Sequence, residues 1–389
     1  MWTKSTDQGL AFRARNVFLS PPNSTRLKGD FEMKAAVLTE LFQDLKVRDD
    51  VRLTEIGPGE VHVKLAASGV CHSDLSAQNG TIPTMAPCVL GHEGAGVVKE
   101  VGPGVTDVKA GDHVIISFTP ACRKCKNCLR GQSNLCETFV SMSTAAHFLI
   151  DGNVVPGFAG CGTFSEEMIV PENATIPVDK AIPLDVVALI GCGVTTGVCA
   201  ALNTAQVKPG SSVIVFGCGG VGIAAIQGAR IAGAAEIVAV DKVDSKLAAA
   251  KKFGATHAIK PEDVEGAKNE ITGGEGFDYA LECVGHPALI RQTFDVARRG
   301  GTAVVVGVGR MTENVEFNAF ELFFNEKNLK GSMYGSANVR VDFPRLLKLW
   351  KYGKLDLEGM ISRRIEVDEV NDAFRAMQAG EVIRSVIQF

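Results

Sequence analysis

Ser211-Ser212-Val213-Ile214-Val215-Phe216-Gly217-Cys218-Gly219-Gly220-Val221-Gly222 is a short apolar run that stops abruptly at a cluster of glycines. The run has the length and β-branched content of a buried strand, and 223–232 continues as helix-forming sequence. Glycines at these spacings have mechanical reasons. Gly217 permits the tight turn, Gly219 lets a pyrophosphate approach the helix N-terminus, and Gly222 lets the helix pack closely on the sheet. Gly220 and Val221 complete the turn. A second run, Glu236-Ile237-Val238-Ala239-Val240, ends on Asp241, 19 residues after Gly222. A carboxylate there accepts both hydroxyls of an adenosine ribose and repels a 2′-phosphate, so the pair of signals predicts NAD rather than NADP. Strand–helix alternation continues through 277–282 and 302–307, predicting an α/β doubly wound parallel (Rossmann) sheet over 194–333.

Outside this unit the pattern changes. Short apolar runs at 33–38, 61–66, 94–101 and 114–116, divided by Gly and Pro, predict a β-barrel-like domain. It carries Gly69-Val70-Cys71-His72-Ser73-Asp74 and Gly91-His92-Glu93, and a later stretch reads Leu189-Ile190-Gly191-Cys192-Gly193-Val194. Alone, each Cys is an ordinary core thiol and the His an ordinary polar side chain. Together, Cys71, His92 and Cys192 make the two-Cys, one-His set that holds a zinc with one position open. Cys122-x2-Cys125-x2-Cys128-x7-Cys136 is different. Four thiolates in polar sequence that cannot bury itself predict a closed structural zinc that folds its own lobe. An iron–sulfur run needs its fourth Cys after three residues and then Pro; here the gap is seven and Glu137 follows. His113 is expected to cap a turn, and His62 has no partner motif.

The 389 residues, 46% hydrophobic and 22% charged with net charge −4, describe a globular chain long enough for two domains. No basic run points to nucleic acid or an anionic membrane. The most apolar stretch, 186–202, contains Cys192 and two threonines and is expected to be interior. Six of the eleven cysteines fall in metal patterns; Cys88, Cys161, Cys199, Cys218 and Cys283 sit in apolar or Gly-rich surroundings, as free core thiols do. Residues 1–32 lack a signal-peptide pattern and are expected to form a poorly ordered leader; the compartment expected is a reducing cytoplasm. The tail, 341–389, is expected to supply helices at 343–352 and 367–379 that pack on the first domain.

With these patterns in this order, the chain from Met33 to Phe389 resembles the zinc-dependent alcohol dehydrogenases of the medium-chain dehydrogenase/reductase superfamily. The resemblance implies a GroES-like catalytic domain (33–193 and 334–389) and an NAD-binding domain (194–333). It gives Asp74 to the support of His92, Glu93 to a place behind the catalytic zinc, and Ser73 to proton transfer. It gives His72 and Arg384 to the pyrophosphate, Lys246 to the adenosine ribose, Thr196 and Val221 to the nicotinamide, and Phe118 and Ile82 to the substrate cleft. The implied reaction moves a hydride between a small alcohol and NAD. The variants to weigh are a formaldehyde–thiol adduct as substrate, a non-catalytic NAD(H)-binding relative, and a zinc-free quinone or enoyl reductase. The implied assembly is a homodimer or homotetramer. One departure stands out: Ser76 occupies the place of a proton-relay His found in many members.

Overall fold

The structure is a computed structural model that describes residues 31–139 and 145–389; most of the expected leader lies outside the described residues. A six-stranded parallel sheet holds, in spatial order, His257–Ile259, Glu236–Val240, Ser212–Phe216, Phe277–Glu282, Ala297–Val305 and Asn328–Gly331. The three strands on one side of the centre run in reverse chain order. The topological switch therefore falls beside Ser212–Phe216, where open α/β sheets bind their ligands. Every residue from Val213 to Phe216 is buried, as a strand covered on both faces requires.

The other half is antiparallel in its main pairings. Glu60–Val70 is its spine, pairing with Glu93–Val101, Glu167–Pro171 and Arg384–Gln388. Val61, Val63, Leu65 and Ala67 are buried in alternation, the period-two pattern visible in the sequence. A second sheet runs Cys88–Val89, Met33–Leu38, Lys46–Leu53, Ala146–Ile150, Asn153–Pro156. The tail supplies the helices Val339–Lys351 and Val370–Gln378, close to the expected ones. It also contributes two strands that the sequence reading lacked, Ile361–Ile365 and Arg384–Gln388. His113 opens the strand His113–Ile116 instead of capping a turn. His62 bonds Glu167 at 2.7 Å, and Lys99 bonds the same carboxylate.

The chain passes between the antiparallel sheets and the parallel sheet twice, between Val178 and Ser212 and between Gly331 and Ile361. The helix Gly193–Cys199 packs on Gly220–Ala232 with almost no side chain between them. A Cβ added to Gly197 would lie 2.2 Å from the Val221 carbonyl oxygen. The other crossing, Met333–Ser336, holds Tyr334, Gly335 and Ser336 all at positive φ. Gly335 faces Cys199 and the Thr196 carbonyl so closely that a Cβ there would come within 2.6 Å of the Cys199 side chain. No single described helix is long and apolar enough to cross a membrane; the bent pair Leu184–Gly191 and Gly193–Ala205 matches by composition, but its residues from Val186 to Ala201 are buried in the protein.

Gly197→Ala therefore tests the joint. It should destabilise the protein by at least about 1–3 kcal/mol, the range for overpacking a rigid contact, read as a lower melting temperature. An unchanged melting temperature would show that the two helices are free to separate.

Candidate active site and metal centres

Strand register assembles the site. Gly69 lies opposite Glu93, and Val70 opposite Ser385, so three neighbouring strands bring Cys71, His92–Glu93 and Arg384 to one end of their sheet. Cys192 arrives separately, as the residue that starts the helix Gly193–Cys199. The ligating atoms of Cys71, His92, Glu93 and Cys192 lie within 4.8 Å of one another, and all four residues are buried.

Asp74, itself fully buried, fixes two of them. Its Oδ2 accepts from the Cys71 amide at 3.1 Å, and its Oδ1 accepts from the Gly91 amide at 3.1 Å and from His92 Nδ1 at 2.9 Å. A proton on Nδ1 leaves the lone pair on Nε2, which is buried without a hydrogen-bond partner. Hydrogen bonding from Cys192 holds the Cys71 thiol well below the ordinary range, while the same contact, with burial, pushes Cys192 up. Two sulfurs competing for one negative charge beside an orphaned imidazole nitrogen form a donor set that fits a divalent cation of zinc type. Glu93 belongs to the cluster with both oxygens engaged: Oε1 accepts from the Gly193 amide at 3.0 Å, and Oε2 accepts from Arg384. Burial pushes the Glu93 carboxyl up to about 7, a rise that the adjacent Arg384 charge limits.

The cluster opens into a cleft of about 1280 Å³ that continues to the glycine turn. Gly217 has φ 89°, the left-handed turn expected of it. Gly219 has no atom within 4 Å of where a Cβ would stand, leaving the approach to the helix N-terminus open. The closeness at Gly222 is to the turn itself: a Cβ there would fall 1.7 Å from the Gly217 carbonyl oxygen. Asp241 also lines the cleft; its oxygens accept from the amides of Cys218 at 2.8 Å and Val243 at 3.0 Å. His72, Thr196, Val221 and Lys246 line the same cleft. Arg384 is buried between the metal cluster and Gly220, with Nε unpartnered. Ser73 Oγ lies 3.8 Å from Cys71 Sγ, and Ser76, three residues further on the helix His72–Gln78, faces the cleft with it.

Residues 57–180 match the family described as alcohol dehydrogenase GroES-like domain, and residues 220–351 the zinc-binding dehydrogenase family. The chain is 38% identical over 375 residues to the alcohol dehydrogenase class-3 of Cereibacter sphaeroides, covering 92% of this chain and 99% of that one. This chain belongs to the zinc-binding alcohol dehydrogenase family. It is likewise 38% identical over 374 residues to the S-(hydroxymethyl)glutathione dehydrogenase of Paracoccus denitrificans, with 92% and 99% covered. The crystal structure of benzyl alcohol dehydrogenase from Acinetobacter calcoaceticus superposes with a TM-score of 0.86 at 33% identity, covering 93% and 100% of the two chains. This alcohol dehydrogenase homologue is thus an NAD-dependent oxidoreductase with two metal-binding clusters.

The second cluster of the dehydrogenase is Cys122, Cys125, Cys128 and Cys136, again with sulfurs within 4.8 Å of one another. Amides point at the sulfurs: Cys122 N–H to Cys136 and Cys125 N–H to Cys122, both at 3.3 Å. The Cys122 thiol is pulled down to about 6, first by the Lys124 amide. All eleven cysteines are free thiols, so no disulfide competes with a metal here. With four ligands, this site has no position left for substrate.

Sequence reasoning missed three cleft residues. Phe158 opens the one-turn 3-10 helix Phe158–Gly160, Phe139 follows the four-cysteine lobe outside any motif, and Tyr334 sits on a left-handed backbone. Its hydroxyl donates to the Gly191 carbonyl, one residue before Cys192.

Cys125→Ser should lower zinc content and solubility together, because the lobe has little apolar surface to fold on without its metal. A variant with full metal and wild-type melting would remove the zinc assignment.

Proposed function

We propose that the protein oxidises alcohols to aldehydes or ketones with NAD, and catalyses the reverse. The observation that carries this reading is that an open three-ligand set and a glycine turn beside Asp241 share one cleft. Bound zinc with an open position lowers the pKa of an alcohol oxygen, and bound NAD accepts the hydride. Cys71, His92 and Cys192 would hold the catalytic metal. Asp74 keeps His92 in the tautomer that ligates. Ser73 accepts a hydrogen bond from the substrate hydroxyl and passes its proton toward solvent along the helix face it shares with Ser76. A serine hydroxyl relays a proton without storing one near neutral pH, in contrast to a His at that place.

Asp241 would bind the adenosine ribose beside Lys246. His72, Arg384 and the amides at the turn would bind the pyrophosphate, with Gly217, Gly219, Gly220 and Gly222 providing room. Thr196 and Val221 would flank the nicotinamide, and Phe118 and Ile82 the substrate. The intact ligand set with Ser73 argues against a non-catalytic relative or a zinc-free reductase. The chain would divide into 33–193 plus 334–389, which carry the two antiparallel sheets, and 194–333, which carry the parallel one. Exposed Phe320, Phe323 and Phe324 beside the edge strand Asn328–Gly331 support a homo-oligomer, and the free thiols support a reducing cytoplasm.

Ser73→Ala should lower kcat by about 10²–10⁴, the range for a positioned proton-transfer group, with NAD affinity little changed. Retention of most activity across neutral pH would place the proton path elsewhere. Asp241→Asn should weaken NAD binding and narrow the preference over NADP, by losing charge repulsion and one acceptor. A wild-type preference for NADP, measured as kcat/KM for each nucleotide, would overturn the role given to Asp241.

A further inference from the structure

Asp74 fixes Cys71 and His92, but Cys192 comes from another segment and is held through the peptides on either side of it. The peptide that leaves it is fixed by Glu93, whose Oε1 accepts from the Gly193 amide at 3.0 Å. The peptide that enters it is fixed by Tyr334, whose hydroxyl donates to the Gly191 carbonyl. A peptide unit is planar, so holding one of its polar atoms sets the direction in which the next residue starts. Tyr334 is only 2% exposed, and its ring packs on Phe118 with centroids 4.5 Å apart. Phe118 in turn meets His92 edge-on at 5.4 Å. Tyr334 therefore reaches two of the three catalytic ligands, one by a hydrogen bond to the adjoining peptide and one through a ring.

Tyr334 is itself held by the four-cysteine lobe. Its backbone is left-handed, with φ 56°, a conformation that a residue with a side chain keeps only where its neighbours impose it. The peptide that enters it is gripped at the Met333 carbonyl, which accepts from Asn134 Nδ2 at 3.0 Å across 199 residues of sequence. Asn134 stands in the turn Ser133–Leu135, two residues before Cys136, and is 7% exposed. The Cys136 amide donates back to the Ser133 carbonyl at 3.1 Å, so the turn that carries Asn134 closes on a ligand of the second cluster. Another tie runs from Arg123 of the lobe through Asp107 to Arg340, just beyond the crossing. Its partners are open to water, which makes that tie weak, so the buried amide bond is the one that fixes the lobe to the crossing.

Resting on the assignment of the two metal clusters and independent of the substrate, we infer that the four-cysteine lobe is a brace for the catalytic ligand Cys192, with Asn134 and Tyr334 as the positioning residues that connect them. Each grips the carbonyl of the peptide that enters the next residue in the line. Asn134 sets the start of Tyr334, and Tyr334 sets the start of Cys192. The metal of the lobe then does more than fold its own segment. By fixing where Asn134 stands, it sets the direction from which the Cys192 sulfur meets the catalytic metal.

The test places cobalt(II) in the catalytic cluster, leaves zinc in the four-cysteine cluster, and follows the cobalt absorption bands and the rate at which a chelator removes the cobalt. Tyr334→Phe keeps the ring and deletes the donor. It should shift the bands and speed cobalt loss about tenfold, as removal of a group that supports a metal ligand does. Asn134→Ala should act in the same direction with the zinc of the lobe retained; if that zinc is shed, Asn134→Asp, of the same shape without the donor, takes its place. The double variant should lose cobalt no faster than Tyr334→Phe alone, because both residues act along one line, whereas independent effects would multiply to about a hundredfold. Gln227→Ala deletes another buried amide that bonds a distant carbonyl, and should lower the melting temperature while leaving bands and release unchanged. Wild-type bands and release in Tyr334→Phe or in the Asn134 variant would overturn the brace. So would a multiplied effect in the double variant, or equal release from Gln227→Ala, which would make lost stability the cause. Wild-type protein that takes up no cobalt on Cys71, His92 and Cys192 would sink the metal reading itself.

Discussion

The buried ion pair between Glu93 and Arg384 is the contact around which the site is arranged. Its partners are 291 residues apart in sequence, and each is shielded from water. Charges in such surroundings are tolerated only when geometry and further hydrogen bonds are good, and losing one partner strands the other at a cost of about 3–5 kcal/mol. The chain makes room for the pair by omitting side chains on every side. A Cβ on Gly69 would fall 2.2 Å from Glu93 Oε2, one on Gly193 would fall 2.2 Å from Arg384 Nη1, and one on Gly220 would fall 2.5 Å from Arg384 Cδ. These glycines come from a barrel strand, from the helix after Cys192, and from the nucleotide turn. One ion pair thus fixes the metal cluster and the cofactor groove relative to each other.

Sequence carried the parts of this whose causes are local. A strand, a glycine turn and a terminal acid are a self-contained mechanical device, so Gly217 to Asp241 could be read without knowing the rest of the chain. The cysteine spacings are equally local, because a tetrahedral cation dictates them. What escaped depends on long-range pairing. Ile361–Ile365 carries Ser362, Arg363 and Arg364 exposed in mid-strand, and Lys46–Leu53 is charged through most of its length, so neither shows an apolar alternation. Their strand character comes from neighbours supplied by distant sequence.

The same distinction applies among the site residues. The support that Asp74 gives His92 was legible through the family resemblance, and its bonds to the Cys71 and Gly91 amides appear only in the fold. Arg384 lies in an unremarkable strand, and its engagement with Glu93 appears only when the register of three strands is known. Tyr334, Phe139 and Phe158 became visible only once the segments around the cluster were placed, because single aromatic residues in one-turn elements have no period to betray them.

The helix Gly193–Cys199 is met backbone to backbone on two sides, at Gly197 by the Val221 carbonyl and at the Thr195 and Thr196 carbonyls by Gly335 of the other crossing. Contacts of this kind do not slide: there is no layer of side chains to rearrange, and the carbonyls are in fixed positions. A relative turn of the halves would have these crossings as its axle. The cleft extends outward from that axle, so a small turn produces its largest displacement at the rim, where Met85 and Met311 stand exposed, and its smallest at the metal ligands. Access to the cleft can therefore change while the ligand geometry stays still.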